Sequence, residues 1–434
     1  MKANILLVLS LITCVVWTPL LGQNNELSAY TQGEGISYGN SISSFNMRGY
    51  IQPYVQSRFY DTDSANYGYN RFRMRRLRLR LSGDVLQGRF EYRLNLDLAG
   101  NSEDAEQTNQ YLLDAFIAYK PNDKIKITIG QLTTPTDNRE LRMGSQTLQF
   151  TERSRLTSAF ATIREVGIFI DGNFRLNGSH YLRPSLAFTD GDGAGLKPAN
   201  IGGFKYGGRI DYLPFGLFSA FGQFRQADLV GERTPKLVVG GYYSLNQGVS
   251  SRRGRESGTI LYLDRNGEYA LPDYTKFGFD MLFKFRGFSL YAEWVKATAN
   301  VPSSIYQRVR VDGSTSTEFE VDGSQNVERY VKGRMMVGSG WNVQAGYVLP
   351  SRWSVDARIT EINPEFDSFL NNTLFYNRPR YYTLGIGKYF DRNYSFRIQA
   401  DYTWIEVGPN SRDVAGNAFN GRESLATLMM TYAF

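Results

Sequence analysis

Apolar and polar residues alternate along the chain from Phe45 to its end. Residues 88–100 read GRFEYRLNLDLAG, with aromatic or aliphatic side chains at even positions and charged or amide side chains at odd ones. Residues 276–286 and 393–407 follow the same period of two. Successive side chains of a strand point to opposite faces, so this period predicts strands with one apolar and one polar face. No comparable helical period occurs, and the sequence predicts an all-β protein.

The length of the strands and of their connections indicates a membrane barrel. Many predicted strands run for 9–12 residues, which is long for a soluble sheet and matches a tilted crossing of a bilayer. Long connections alternate with short ones at 83–87, 121–123, 175–178, 286–287, 350–352 and 390–393. Outer-membrane barrels have short periplasmic turns and long extracellular loops. We therefore predict a transmembrane antiparallel β-barrel over residues 45–434.

The alternation of short and long connections also predicts the number of strands. It fails once, at residues 216–228 (GLFSAFGQFRQAD), which would add a strand between two short connections. If this segment does not span, sixteen strands remain, and single-chain bacterial barrels have even numbers. We predict sixteen; the alternative is eighteen, if the long loops contain a further hairpin.

The first residues have the features of a secretory signal. Lys2 precedes an apolar run at 5–16 and a cleavage site at 20–22, so residues 1–22 are predicted to be a signal peptide. Residues 23–44 are predicted to be a polar N-terminal lead-in. The only cysteine lies inside the signal, so the mature chain has no thiol for a disulfide, a nucleophile or a metal site. Together with a final strand that ends on phenylalanine, these features predict the outer membrane of a Gram-negative bacterium.

Arginine is concentrated in one predicted strand. Residues 71–83 read RFRMRRLRLRLSG, with six arginines in this stretch. Alternation places Arg76, Arg78 and Arg80 in the lumen, because an arginine that faces lipid near the midplane costs about 2–4 kcal/mol. The apolar residues before Arg75 have the opposite parity, so we expect a β-bulge or the strand end there. A ladder of guanidiniums, whose planar forks fit phosphate or carboxylate oxygens, predicts a path for anions.

Cations modestly outnumber anions among the charges predicted to face the lumen. The cations are Arg48, Arg58, Arg76, Arg78, Arg80, Arg93, Lys124, Lys126, Lys276, Lys284, Arg358 and Arg397; the anions are Glu91, Asp97, Asp114, Asp171, Asp280, Glu293, Asp356 and Asp401. The alternative to an anion path is that the arginines pair with these acids and only stabilise the wall.

The arginine-rich strand and the segments after it resemble the phosphate-selective porin O and P family. The resemblance rests on RMRRLRLRLSG, FEYRLNLD, LDAFIAY, IGQLTTP and LQFTERS, in that order. It implies a sixteen-stranded barrel, a homotrimer, a pore lined by arginine and lysine, and a long loop folded inward. Residues 132–163 are the candidate for that loop, in which Arg139, Arg142, Arg153 and Arg155 would contribute to a constriction. The alternative for these four is a solvated outer loop.

The predicted function is a passive diffusion channel for small hydrophilic solutes, with a preference for anions such as phosphate. The residues predicted to line the pore and bind anions are Arg76, Arg78, Arg80, Arg93, Lys124, Lys126, Arg139 and Arg142. The alternative is a non-conducting barrel whose loops serve as receptor, adhesin or assembly partner. Catalysis is not expected, because the sole histidine, His180, has a turn-like context and no hydrolase motif occurs. Small anions and outer-membrane lipid are the predicted partners; no cofactor, metal or nucleic acid is expected.

Overall fold

A closed barrel of sixteen antiparallel strands forms the body of the protein. The computed structural model describes residues 26–27, 30–62, 66–99, 111–194, 201–254, 260–374 and 376–434. The last strand pairs with the first, from Arg422 opposite Asp61 to Ala433 opposite Tyr50, which closes the sheet on itself. The strands are β1 Ser44–Asp61, β2 Asn66–Val85, β3 Phe90–Asp97, β4 Leu112–Asn122, β5 Ile125–Thr133, β6 Arg164–Gly172, β7 Tyr181–Thr189, β8 Lys205–Leu213, β9 Lys236–Asn246, β10 Asp273–Phe285, β11 Phe288–Asn300, β12 Gly338–Val348, β13 Trp353–Pro364, β14 Arg380–Tyr389, β15 Phe396–Ile405 and β16 Arg422–Ala433. Sixteen strands are confirmed, and the alternative of eighteen is wrong.

The two faces of the strands differ as the alternation predicts. Outward positions carry apolar side chains such as Ile129, Leu186 and Phe279, all exposed on the outer surface. Inward positions carry polar side chains such as Thr128 and Lys276, which are buried. An apolar outer surface suits contact with hydrocarbon, and closure of the sheet pairs its backbone groups where water is absent. The predicted transmembrane antiparallel β-barrel is confirmed.

One end of the barrel has short turns and the other has long loops, which identifies the periplasmic and extracellular ends. The exception among the short turns is the connection from β8 to β9, residues 214–235, which we call the periplasmic insert. It contributes no strand to the barrel, so residues 216–228 do not span, as predicted.

The N-terminal lead-in is partly ordered against the barrel. The short strand Ile36–Gly39 pairs with the beginning of β1, from Ile36 opposite Met47 to Gly39 opposite Ser44. The lead-in therefore contributes a hairpin at the periplasmic end. The predicted signal peptide, residues 1–22, lies outside the described residues.

Residues 134–163, which we call the inward loop, cross the lumen from wall to wall. Asn138 donates to Glu293 on β11 (3.0 Å), the backbone N–H of Thr151 donates to Asp401 on β15 (2.8 Å), and Arg358 on β13 donates to the carbonyl of Glu152 (2.9 Å). The loop contains 3-10 turns at Arg139–Arg142 and Ser145–Thr147 and a helix, α1, at Arg155–Phe160. The prediction of an inward loop at 132–163 is confirmed, except that its first two residues end β5, and the alternative of a solvated outer loop is wrong.

The periplasmic insert enters the lumen from the opposite end and meets the inward loop. Lys284 on β10 donates to the carbonyls of Gly222 (2.9 Å) and Ala227 (2.8 Å). Gln226 donates to Glu140 of the inward loop (2.9 Å), and its side-chain oxygen accepts from the backbone of Gln149 (2.7 Å). Residues 216–228, which the alternation of connections left without a strand, therefore belong to a second segment that fills the lumen. We call the inward loop and the periplasmic insert the two plugs.

The extracellular loops fill part of the lumen mouth. Loop residues form short strands at Leu261–Leu263, Gln307–Val309, Thr315–Ser316, Glu320–Val321 and Ser324–Gln325, a helix α2 at Val327–Lys332, and a 3-10 turn at Phe369–Asn371. Buried loop residues such as Met336 pack with α1 and with the inward face of the wall, including Tyr274 and Val295, in one hydrophobic cluster. Within the described residues, no helix has the length and apolarity needed to cross a membrane.

A β-bulge in β2 changes which arginines face inward. Gln52 of β1 lies opposite Arg76, whereas the next residue, Pro53, lies opposite Met74. Arg75 is therefore the extra residue, which confirms the predicted bulge. Because the bulge reverses the parity of the residues before it, Arg71 joins the inward set and donates to Gln56 (2.7 Å). All six arginines of the strand, Arg71, Arg73, Arg75, Arg76, Arg78 and Arg80, thus point to the lumen side.

Deletion of Met74 should destabilise the barrel, because Arg75 would then take the position opposite Pro53 and turn toward lipid. Pro53 lies near the middle of β1, where an outward arginine costs about 2–4 kcal/mol. We expect the urea midpoint of the protein in lipid vesicles to fall accordingly, or folding to fail. Deletion of Arg75, which removes only the extra residue and keeps Arg73 opposite Tyr54, is the control. An equal midpoint for the two deletions would contradict the role of the bulge.

Candidate functional site

A polar cavity of about 560 Å³ lies in the lumen between the inward loop, the periplasmic insert and the wall that begins at β1. We call it the arginine cavity. Among the described residues, its charged lining consists of Arg48, Arg78, Arg80, Arg93, Arg142, Arg153, Arg164 and Arg225 and the two carboxylates Asp114 and Asp171. Such an excess of one sign in a confined space produces a strongly positive potential.

Three arginines of the cavity wall have no carboxylate partner among the residues that the structure describes. Arg48 on β1 lies directly opposite Arg80 on β2, and Arg93 on β3 lies opposite Ser82, diagonal to Arg80. Within the described residues, no carboxylate forms an ion pair with these three guanidiniums. Arg93 instead packs over the Phe116 ring, 5.1 Å from its centre. Like charges opposite each other destabilise a sheet, so these guanidiniums leave uncompensated positive charge on the cavity wall.

The other two arginines predicted for the ladder, Arg76 and Arg78, form ion pairs with carboxylates that largely neutralise them. Arg78 pairs with Asp97 (3.1 Å) and donates to Ser145 (3.2 Å), although it still lines the arginine cavity. Arg76 is fully buried and bonds to Gln52 (3.0 Å) and Glu152 (2.7 Å). For Arg76 and Arg78, therefore, the alternative that lumen arginines pair with acids describes the structure better than a free ladder does.

Glu152 of the inward loop joins that loop to the arginine strand. Burial alone would raise the pKa of its carboxyl, but the guanidiniums of Arg75 and Arg76 outweigh burial and lower the pKa to about 2. The carboxylate thus stays ionised at neutral pH and keeps both arginines paired. These two arginines therefore hold the loop in place rather than meeting solute.

Arg139 anchors the inward loop to the opposite wall. Its guanidinium is fully buried and donates to Asp211 on β8 and to Asp280 on β10, both at 2.7 Å. Arg209 on β8 bonds to the same two carboxylates. Arg139 is therefore not on the pore surface. Arg142 also bonds to Asp211 (2.6 Å), but it lines the arginine cavity.

The two predicted lysines lie nearer the periplasmic rim. Lys124 is exposed in the turn between β4 and β5, beyond the barrel wall. Lys126 occupies an inward position of β5 opposite Asp171, on the wall beside the arginine cavity. Of the other arginines predicted in the inward loop, Arg153 lines the cavity, whereas Arg155 packs over the Tyr376 ring at 4.5 Å.

Four of the eight acids predicted to face the lumen bond to the inward loop. Asp280 pairs with Arg139, Glu293 accepts from Asn138 (3.0 Å), Asp356 on β13 accepts from Gln149 (2.9 Å), and Asp401 accepts from the backbone of Thr151 (2.8 Å). Strand alternation predicted them to be pore charges, because it does not show what packs against an inward side chain. The plugs bury inward cations as well, including Lys276, Lys284 and Arg397. The positive excess is therefore a property of the arginine cavity and not of the whole lumen.

Sequence reasoning missed two cavity arginines. Arg164 begins β6 and pairs with Asp114 (3.1 Å), and Arg225 lies in the periplasmic insert and packs over the Tyr394 ring at 5.3 Å. Alternation along β6 could not have identified Arg164, because it groups this residue with the outward Ile168 and Ile170. Nothing in the local pattern could have identified Arg225, because the insert has no period and its entry into the lumen is a tertiary feature.

The remaining chemistry-bearing residues form no reactive group in the described structure. His180 lies exposed in the turn before β7, with its Nδ1 2.6 Å from the Tyr212 hydroxyl. Across the described ranges, no cluster of three or more histidine, aspartate or glutamate residues has the arrangement of a metal site.

Solved structures that resemble this fold are outer-membrane porins. OmpT from Vibrio cholerae, in its trimer form, is 8% identical at a TM-score of 0.51, with 91% of this chain and 100% of that chain covered. An anion-selective porin from Comamonas acidovorans is 11% identical at a TM-score of 0.50, covering 90% and 100%. Salmonella typhi OmpF in complex with daunomycin is 12% identical at a TM-score of 0.51, covering 92% and 100%. At such identities the similarity shows the fold alone, and no curated protein matches the sequence significantly.

The family comparison covers the whole barrel except for its first residue. The family described as phosphate-selective porin O and P matches residues 45–434. Sixteen closed strands, an apolar outer face, a polar lumen and this match agree with one another and indicate a channel rather than an enzyme. The chain belongs to the phosphate-selective porin O and P family and is a porin of the Gram-negative outer membrane.

Proposed function

We propose that this porin is a passive diffusion channel that prefers small anions such as phosphate. The observation that carries the proposal is the group of unpaired guanidiniums, Arg48, Arg80 and Arg93, on the wall of the arginine cavity. Charged groups in a narrow lumen with low-dielectric walls concentrate ions of the opposite sign. Three cations without a carboxylate partner would therefore attract anions and repel cations.

The positions of the other arginines support passage rather than tight capture. Arg71 and Arg73 are exposed on the β2 segment toward the extracellular end, where they add positive charge to the entrance. Arg78 and Arg153 follow beside the inward loop, and Arg80 lies beyond them in the arginine cavity. Alternate positions of a strand are about 6–7 Å apart. Sites of moderate strength at this spacing allow an anion to move from one to the next without a deep trap.

We also propose that the protein forms a homotrimer in outer-membrane lipid. The similar Vibrio cholerae OmpT structure is described as a trimer form, and the family resemblance implies the same assembly. Each barrel would then enclose its own pore, because the sheet of one chain closes on itself. Small anions and lipid are the partners that this arrangement requires.

Substitution of Arg48, Arg80 and Arg93 by alanine should reduce anion preference. We expect the anion-to-cation permeability ratio to fall about 10-fold, the low end of the range for focused fields. The measurement is the zero-current potential of the purified porin in planar bilayers across a potassium chloride gradient. The control is Arg310→Ala, which removes an exposed arginine from an extracellular hairpin. An unchanged potential in the triple variant, or a cation-selective or silent parent protein, would contradict the proposed function.

Phosphate should compete for the same three arginines. In the parent protein, millimolar phosphate is expected to reduce chloride current, because a guanidinium fork binds phosphate oxygens more strongly than chloride. The triple alanine variant should lose most of this block, while Arg310→Ala should retain it. Equal block in both variants would place the phosphate contact elsewhere.

Removal of the Arg139 anchor should make the channel current unstable. Arg139→Ala deletes the inward loop's bonds to Asp211 and Asp280, and breaking a buried ion pair of this kind costs about 3–5 kcal/mol. Arg209 remains to hold the two carboxylates, so the barrel itself should still fold. Single-channel recordings should show more frequent current steps than in the parent or in Arg310→Ala. A steady parental current would show that the anchor is dispensable.

A further inference from the structure

A large aromatic side chain of the periplasmic insert is exposed inside the lumen. Phe221 retains 73% of its possible exposure and lines the arginine cavity together with Arg48, Arg80 and Arg93. Lipid cannot reach it there, because the barrel wall and the two plugs surround the cavity. An exposed phenylalanine in a water-filled lumen has an unfavourable hydration free energy unless a solute covers it.

The backbone at this position adopts an uncommon conformation. Ala220 (φ 48°, ψ 42°) and Phe221 (φ 55°, ψ 33°) both lie in the left-handed region, which non-glycine residues rarely occupy. Such residues persist only where the surrounding structure holds them, and they cluster at ligand-binding sites. The ring therefore projects into the cavity as a consequence of a specific backbone geometry.

Hydrogen bonds on both sides hold the insert in this geometry. The backbone N–H of Ser219 donates to Glu232 (2.6 Å), and Lys284 donates to the carbonyls of Gly222 (2.9 Å) and Ala227 (2.8 Å). The hydroxyl of Tyr394 donates to the carbonyl of Ala227 as well (2.8 Å). Phe221 is thus anchored two residues before it and one residue after it.

The size and composition of the cavity fit an anion larger than inorganic phosphate. Its volume of about 560 Å³ lies within the range of small-molecule sites, roughly 300–1,000 Å³. Besides its arginines and Phe221, the lining contains the half-buried Phe224, which adds a second aromatic surface. A wall of free guanidiniums with an apolar patch beside it suits a solute that carries a negative group on a flat hydrocarbon body.

We propose that the arginine cavity selects small aromatic carboxylates, with Phe221 contacting the ring and Arg48, Arg80 and Arg93 binding the carboxylate. The inference rests on the proposed anion channel, because it assigns a substrate class to the same cavity. Offset or edge-to-face contacts between aromatic rings add to the area that is buried, so the ring increases residence in the cavity. Phe221 is a specificity-determining residue in this arrangement.

Benzoate and acetate form the matched pair of probes, because both are monocarboxylates and only benzoate has a ring. The full-length porin is reconstituted in planar bilayers, and block of chloride current is titrated with each probe. In the parent protein, benzoate should block at about 3- to 10-fold lower concentration than acetate, the range expected for one aromatic contact. Phe221→Ala should bring benzoate close to acetate and leave block by acetate and phosphate unchanged. Phe221→Tyr, which keeps the ring, should retain the benzoate preference.

Phe215→Ala is the control within the same insert, since Phe215 is 48% exposed but does not line the cavity. Equal benzoate block in Phe221→Ala and the parent, or equal loss of acetate and benzoate block, would overturn the inference. If Phe221→Ala fails to fold, Phe221→Leu keeps apolar volume without the ring and should show the same selective loss. An anion-selective parent that does not distinguish benzoate from acetate would refute this inference alone, whereas a parent without anion selectivity would refute the proposed function.

Discussion

The contact of every strand with two solvents is the constraint on which the structure depends. Each barrel strand places alternate side chains in hydrocarbon and in the lumen, so a charge on the wrong face costs as much as several ordinary contacts contribute. The arginine-rich strand β2 satisfies this constraint only through the bulge at Arg75, which brings arginines of both parities to the inner face. The same bulge makes a guanidinium-rich wall compatible with a lipid-facing outer surface.

An inward charge stays on the pore surface only where neither the inward loop nor the periplasmic insert bonds to it. On the β8–β13 side, Asp280 and Glu293 bond to the inward loop, and Lys284 bonds to the periplasmic insert. On the β1–β3 side, the wall faces the arginine cavity, and no carboxylate of the described segments pairs with Arg48, Arg80 or Arg93. The plugs thus neutralise one half of the lumen and leave the other half positive, which concentrates the field where solute can pass.

The narrow part of the lumen is built from both ends of the barrel. The inward loop descends from the extracellular end and the insert rises from the periplasmic end, and they meet through Gln226 and Glu140. The inward loop supplies Arg142 and Arg153 to the cavity, while the insert supplies Arg225 and the Phe221 ring. Charge therefore comes from the wall and both plugs, and the apolar component comes mainly from the insert, so the two properties can vary independently.

The sequence by itself determined the all-β barrel and the inward direction of Arg78 and Arg80, because side-chain direction in a strand follows from a period of two. It predicted sixteen strands with eighteen as the alternative, and a bulge or the strand end near Arg75, and the structure decided both in favour of the first. The role of each inward charge was decided only by the tertiary structure. Arg139 is an anchor because Asp280 lies against it, Arg76 is neutralised because Glu152 reaches it, and Phe221 enters the cavity because Lys284 holds its segment. These partners are far apart in the chain, and only the packing of loops inside the closed wall brings them within hydrogen-bonding distance.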